Sequence, residues 1–287
     1  VGASSLEHSD SLLGDLSAID SRFMTGNALS ILANRLSHAF DLHGPSMVVD
    51  TACSSALFAF HAAVTALKGG EIDVAIVAGV NLLMAPMPYV GFSRAAMLSP
   101  SGLCRAFDAN ADGYVRAEGA VAFVIARDSW ARAGGDRIRG YVLGTGINSD
   151  GGTSSLSVPN AERQASLITK VYEQAGISPD DLAFIEAHGT GTAVGDPIEA
   201  AALGAALGRH RTAPLPIGSV KSNVGHLEPA AGLVGLLKVQ RALETGLLAP
   251  TLHVETPNPA IDFDALNLYP AQQPVRLSKR EKPWIAG

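Results

Sequence analysis

Only two cysteines, Cys53 and Cys104, occur in the 287 residues. That is too few for a disulfide framework and suits a reducing cytoplasm. Charge is sparse as well. Asp, Glu, Lys and Arg make up 17% of the chain, and the formal net charge is −6 with a pI near 5.7. No basic cluster is present to release counterions from a phosphate backbone, so nucleic acid is excluded as a partner. No apolar run approaches the roughly 18–20 residues of a membrane span. The opening Val1-Gly2-Ala3-Ser4-Ser5 has no signal-peptide pattern. An initiator Met is missing too, and the sequence is expected to be part of something longer. What it does have is apolar bulk: 47% hydrophobic residues, which predicts a sizeable core with several fully buried elements. At 29.6 kDa that core belongs to one large domain or two intimately packed halves.

The stretch Val48-Val49-Asp50-Thr51-Ala52-Cys53-Ser54-Ser55 organises the rest. Met47-Val48-Val49 reads as a short buried strand, and a small-residue helix follows from residue 54 to about 68, expected to be buried all round. Cys53 therefore sits where a strand hands over to a helix N-terminus, beside partial positive charge. A free thiol with a pKa of roughly 8.5 is only about 3% thiolate at neutral pH, and moving that pKa down by about 1–2 raises the fraction to roughly a quarter to three-quarters. The position can thus activate a nucleophile, although a lone Cys is more often a small core residue.

Other elements follow from periodicity. Residues 25–39 predict a helix, and 73–79 a fully buried strand of the kind found in parallel sheets. Residues 85–100, with three prolines, predict an irregular excursion, and 120–126 another buried strand. The polar segment 127–139 divides two halves. In the second, 141–143 reads as a strand, 162–174 as an amphipathic helix, 182–187 as a strand, 198–207 as a helix and 215–220 as a strand. A small-residue helix from 229 to about 244 comes next, and the chain from 250 onward is Pro-rich and irregular. Strand, polar turn and small-residue helix thus occur twice, around Cys53 and around 215–244, which predicts two similar α/β halves.

Two motifs mislead. Asp108-x-Asn110-x-Asp112-Gly113 opens like a calcium-binding loop, but the twelfth position is Gly119 and Glu118 is the eleventh, and no amphipathic helix precedes it. Gly189-x-Gly191-x-x-x-Gly195 is one residue too long for a dinucleotide turn, and Arg211 stands where an acid is needed.

Three residues capable of chemistry remain in equivalent places. Cys53, His188 and His226 each follow a strand and precede a helix, at the carboxyl edge where ligands bind in open α/β sheets. Asp50-Thr-Ala-Cys-Ser-Ser, Glu186-Ala-His-Gly-Thr-Gly-Thr and Lys221-Ser-Asn-Val-Gly-His-Leu-Glu228 together resemble the three motifs of the β-ketoacyl synthases. The likeness is nearest to ketosynthase domains of modular or iterative polyketide synthases, and it takes in 108–118 as a family segment.

The resemblance implies an α/β, thiolase-like fold of two related halves packed in layers (αβαβα). Residues 1–130 would carry the nucleophile and 131–287 both histidines. It implies decarboxylative Claisen condensation, as in polyketide or fatty acid chain elongation. Cys53 would accept the acyl group, and His188 and His226 would help decarboxylate a malonyl-type thioester and stabilise the enolate oxygen. Thr190 and Thr192 would hydrogen-bond the phosphopantetheine arm of an acyl carrier protein, the arm arriving on its carrier with no cofactor bound to the enzyme and no metal. Lys221 and Glu228 would act as orienting charges, and a buried Lys221 needs an acidic or carbonyl partner. Cys104 is left as a structural residue.

A homodimer paired through 46–50 and a linked acyltransferase domain are also implied, with no membrane partner. The family extends upstream of Val1 and continues beyond Gly287 into a Gly-Phe-Gly-Gly-Thr-Asn loop that supplies an oxyanion-hole N–H, so this stretch alone is expected to be an inactive piece. A thiolase would need a second Cys near its C-terminus, and none follows Cys104. A decarboxylating loading domain would carry Gln at position 53. A non-elongating docking and transfer module would usually lack the second His.

Overall fold

The computed structural model describes residues 1–287 apart from 13, 156, 279 and 280. The chain divides into two units, each discontinuous in sequence. The first comprises Val1–Arg94, Arg116–Ile138 and Leu227–Val234; the second comprises Ala95–Val115, Arg139–His226 and Gly235–Gly287.

The first unit holds α1 (Glu7–Leu12), α2 (Phe23–Asn27), α3 (Leu29–Ala39), α4 (Ser55–Gly69), β1 (Val74–Asn81), α5 (Met87–Arg94), β2 (Gly119–Ala126) and α6 (Asp128–Gly134). The helix expected over 25–39 is two helices joined at Ala28, whose extended backbone ends one and begins the other. Gly26 and Asn27, both poor helix formers, precede the break. Inside the stretch expected to be irregular lies α5.

The strands β1 and β2 pair antiparallel, from Val74 opposite Ala126 to Asn81 opposite Gly119. They are not the fully buried parallel strands expected from their apolar runs. One face carries the exposed cross-strand pair Ile76 and Val124, with Val124 71% exposed. The other face is covered: a Cβ on Gly79 would lie 2.8 Å from the Ala230 Cα, so glycine is what admits the segment following His226. An apolar run alone does not say which neighbours pair with it.

Residues 47–49 form no buried strand. Val49 makes a single bridge to Gly2, donating its N–H to the Val1 carbonyl at 2.9 Å and accepting from Ala3 at 3.3 Å, while Met47 is 51% exposed. Gly2 in turn bridges to Gly79 of β1. The helix α4 buries Ser55, Ala56, Ala59, Phe60, Val64 and Leu67 on one face and leaves Leu57, Ala62, Thr65 and Lys68 exposed on the other, so it too falls short of burial all round. Gly70, in the left-handed region at φ 74°, terminates it.

The second unit contains α7 (Ala161–Ala175), β3 (Leu182–Glu186), α8 (Gly195–Ala206), β4 (Leu215–Gly218), α9 (Lys221–Val224), α10 (Ala231–Thr245, its first turn counted with the first unit), β5 (Leu247–Leu248), α11 (Phe263–Leu266), β6 (Leu268–Pro270), β7 (Val275–Arg276) and β8 (Ile285–Ala286). Its four-stranded sheet runs β6-β4-β3-β8, all parallel. Two cores cover it. Ile185, Leu203, Leu207, Leu215 and Ile217 join one, with Phe107 fully buried among them. Phe184, Val239, Ala242 and Leu248 join the other. Asn160 opens α7 by accepting the N–H groups of Glu162 and Arg163. The strand expected at 141–143 does not form: Tyr141, Val142 and Leu143 are exposed and outside any regular element.

Candidate active site

The adjacent parallel strands β3 and β4 end side by side, and the polar turns that follow them carry the second unit's candidate site residues. Beyond β3 come His188, Thr190 and Thr192; beyond β4 come Lys221 and His226. The His188 and His226 rings lie 5.5 Å apart between centroids, edge to face at 83°. Tyr114 packs on His226 at 4.9 Å, and the His226 backbone N–H donates to the Val115 carbonyl at 2.7 Å.

Lys221 is 4% exposed and its Nζ donates to the His188 carbonyl oxygen at 2.5 Å. It holds the His188 backbone, and its charge stands near both imidazoles. Burial first, then the Lys221 cation, push His226 down to about 3. The same causes, with His226 third, depress His188 well below the ordinary histidine range, although its side chain keeps open surface. Both rings are therefore neutral at physiological pH, each with one N–H to donate and one lone pair to accept. Because its pKa is depressed, His226 stays neutral until the pH falls far below 6.5. In a titration followed by NMR on imidazole-labelled protein, its ring resonances are expected to hold still from pH 8 to pH 5. An inflection near 6.5 would contradict the buried, lysine-flanked setting.

Two acids absent from the sequence reading support these turns. Glu199, on α8, accepts the backbone N–H of His188 at 2.6 Å and of Gly189 at 2.8 Å. Burial raises its carboxyl to about 7, against the lowering effect of those two N–H bonds. Asp196 accepts from Phe107 at 2.7 Å and from Gly191 at 3.1 Å. Their one sequence signal was Gly195-Asp-Pro-Ile-Glu, an acid and a proline at a helix start. Thr190 and Thr192 share a hydroxyl contact of 3.1 Å, and Thr192 Oγ1 also accepts the Gly195 N–H at 3.1 Å. Gly191 sits at φ 77°, and a Cβ there would meet the Arg105 backbone nitrogen at 2.8 Å.

In the first unit, Cys53 is half-buried on a sharp elbow. Ala52 before it takes the left-handed conformation at φ 55°, and α4 begins two residues later. Ser55, fully buried, fixes the elbow by accepting the Thr51 N–H at 2.9 Å and donating to the Ala52 carbonyl at 2.5 Å. Glu228 pairs with Arg116 of the same unit, Nε to Oε1 at 2.5 Å. Cys104, buried in the second unit, accepts the Val115 N–H at 3.2 Å, and burial raises its thiol. Asp108, fully buried, accepts N–H groups from Asn110, Glu255 and Thr256, so the calcium-like segment is a loop brace.

The chain belongs to the β-ketoacyl synthase family. Residues 1–131 match the family profile described as "Beta-ketoacyl synthase, N-terminal domain" and 139–255 the one described as "Beta-ketoacyl synthase, C-terminal domain". Among its relatives are a phenolphthiocerol/phthiocerol polyketide synthase of Mycobacterium tuberculosis, 47% identical over 93% of this chain, and the hybrid PKS-NRPS synthetase pytA of Aspergillus terreus, 48% identical over 84%. This chain spans 14% and 36% of those proteins. A solved ketosynthase from module 6 of the bacillaene synthase of Bacillus subtilis 168 aligns over 91% of this chain and 47% of its own length. It does so with a TM-score of 0.88 and 42% identity. The fold is accordingly the thiolase-like α/β fold of ketosynthase domains.

Proposed function

We propose that this chain supplies the nucleophile and both histidines of a ketosynthase that elongates an acyl chain by decarboxylative condensation. Residues 1–130 bring Cys53, and 131–287 bring the histidine pair. The observation that carries the reading is that pair: two neutral rings, 5.5 Å apart, on turns after adjacent parallel strands. Enolate chemistry needs N–H donors aimed at one oxygen in a dry setting, and neutral imidazoles provide them.

In the first step Cys53 Sγ attacks an acyl thioester; the C–S bond to the carrier's phosphopantetheine thiol breaks and an S-acyl cysteine forms. In the second, a malonyl-type thioester loses carbon dioxide, and the electron pair of the broken C–C bond passes to the thioester oxygen, where His188 and His226 donate. The enolate carbon then attacks the acyl group on Cys53, and the thiol is released. Thr190 and Thr192 bind the pantetheine arm of an acyl carrier protein, while Lys221, through the His188 carbonyl, and Glu228 hold the turns in place. No cofactor resides on the domain itself. The compartment is a reducing cytoplasm, supported by two free cysteines. Among the described residues no helix is long and apolar enough to cross a membrane. The test is mass spectrometry of the full-length enzyme with an acyl-thioester donor. An acyl adduct on the peptide containing Cys53 is expected, and its appearance only at Cys104 would end the proposal.

The enzyme is further proposed to be a homodimer, within a multidomain chain that also carries an acyltransferase, paired through 46–50. Support comes from that segment's geometry. Its backbone is tied on one side to residues 1–3, while Met47 is half exposed at the head of the uncharged run Met47-Val48-Val49. Such an edge invites pairing with its own twofold copy. Val48→Glu is expected to lower the dimer fraction at micromolar concentration by about tenfold, or about 1.4 kcal/mol, and to slow acylation with it. Sedimentation of the full-length enzyme as a fully active monomer would rule the pairing out.

A further inference from the structure

A buried guanidinium in the first unit has no place in the chemistry above. Arg116, its side chain 2% exposed, holds two carboxylates at once. Nε and Nη2 grip Glu228 at 2.5 and 3.0 Å, and Nη2 also reaches Glu7 at 3.1 Å. The rings of Tyr89 and Phe92 stand 4.8 and 5.4 Å from the guanidinium carbon. A cation sandwiched in this way is costly to bury and fixed in direction once paired.

What the cation grips matters more. Glu228 lies two residues after His226 and adopts φ 45°, a left-handed conformation unfavourable for a residue with a Cβ. Such a conformation persists where the surroundings impose it, and here the two-bond grip of Arg116 does so. The neighbouring residue completes the arrangement, because Val115 accepts the His226 N–H through its carbonyl at 2.7 Å. Within the second unit Val115 thus holds the His226 backbone, and within the first unit Arg116 holds Glu228, two positions further along the chain. Glu7 anchors the clamp to the scaffold: burial pushes its carboxyl up, but N–H bonds from Ala85, Arg116 and Met84 together hold it below the ordinary range.

We infer that Arg116 is a positioning residue for the condensation, acting through Glu228 on the chain that leads directly out of His226. The inference rests on the proposed role of His226 and assigns a task to the stretch that imitates a calcium loop. Lysine cannot replace the fork, since a single ammonium makes no bidentate pair.

The test separates two half-reactions in the full-length enzyme: acylation of Cys53, and carbon dioxide release from a malonyl-thioester carrier. Arg116→Gln and Glu228→Gln are each expected to lower kcat for decarboxylation about 30-fold, with KM and the acylation rate changed by less than about twofold. The double variant should be no worse than either single one, because both remove the same link. Arg116→Lys should recover only part of the loss. Glu7→Gln, which leaves the grip on Glu228 intact, should lower the melting temperature and leave the ratio of the two half-reactions unchanged. Should Arg116→Gln fail to fold, Glu228→Gln, which keeps the side-chain shape, decides alone. Equal losses in both half-reactions would mean a scaffold residue and overturn the inference. So would parental decarboxylation in both Gln variants while His226→Ala is impaired. If His226→Ala itself decarboxylates normally, the functional reading falls and the clamp's catalytic role falls with it.

Discussion

Cys53→Ala is expected to abolish acylation of the full-length enzyme and to cut condensation by about 10⁴-fold or more, since covalent capture is lost outright. Carbon dioxide release from the malonyl thioester should nevertheless continue at a measurable rate. The reason lies in where the parts sit. The thiol is held on the Ala52 elbow by Ser55, whereas the imidazoles follow β3 and β4, with the His188 backbone braced by Glu199 and Lys221 and that of His226 by Val115. Removing one sulfur disturbs none of those braces. Intact-protein mass spectrometry reads the first step and trapped carbon dioxide the second. Acylation of the Cys53→Ala protein at the parental rate would show the nucleophile to be elsewhere.

The reciprocal change, His226→Ala, should lower decarboxylation by about 10²–10³-fold, the range for loss of one donor to a developing oxyanion, and leave acylation of Cys53 within about threefold of normal. His226 is 4% exposed and packed at a tilt against Tyr114, so truncation also opens a cavity. His226→Gln, which restores an N–H donor of similar length, is the control for that. Recovery of part of the decarboxylation rate with Gln but not with Ala would tie the effect to hydrogen bonding. Identical losses in both half-reactions for the two variants would tie it to folding instead.

Local signals carried much of the second unit. The apolar periods and terminators around 162–174, 182–187 and 215–220 mark α7, β3 and β4 to within a few residues, because caps such as Asn160 and Gly176 act over short range. The strand assignment failed where neighbours decide the outcome. Val74 to Gly79 is as apolar as a parallel-sheet strand, yet it pairs antiparallel and shows Ile76 to solvent. Tyr141-Val142-Leu143 has strand composition but lies exposed outside any regular element. The three motifs pointed to Cys53, His188 and His226 as candidates and to Lys221 and Glu228 beside them, while the long-range partners Arg116, Asp196 and Glu199 stayed hidden. Arg116 and Glu228 are 112 positions apart, and Phe107 and Asp196 are 89 apart. Partners so distant leave no periodicity to read.

Gly191 shows what a recognisable motif is made of. Its φ of 77° and the Arg105 backbone nitrogen 2.8 Å from any added Cβ bar every other side chain, whatever reaction the loop serves. Gly189 is closed in the same way, by Ser219 at 2.7 Å and a φ of 44°. Two of the letters around His188 are thus spelled by steric exclusion, and only the histidine by the reaction proposed for it. A lineage that gave up condensation while keeping this packing would still write both glycines, and the imidazole would be the letter free to drift.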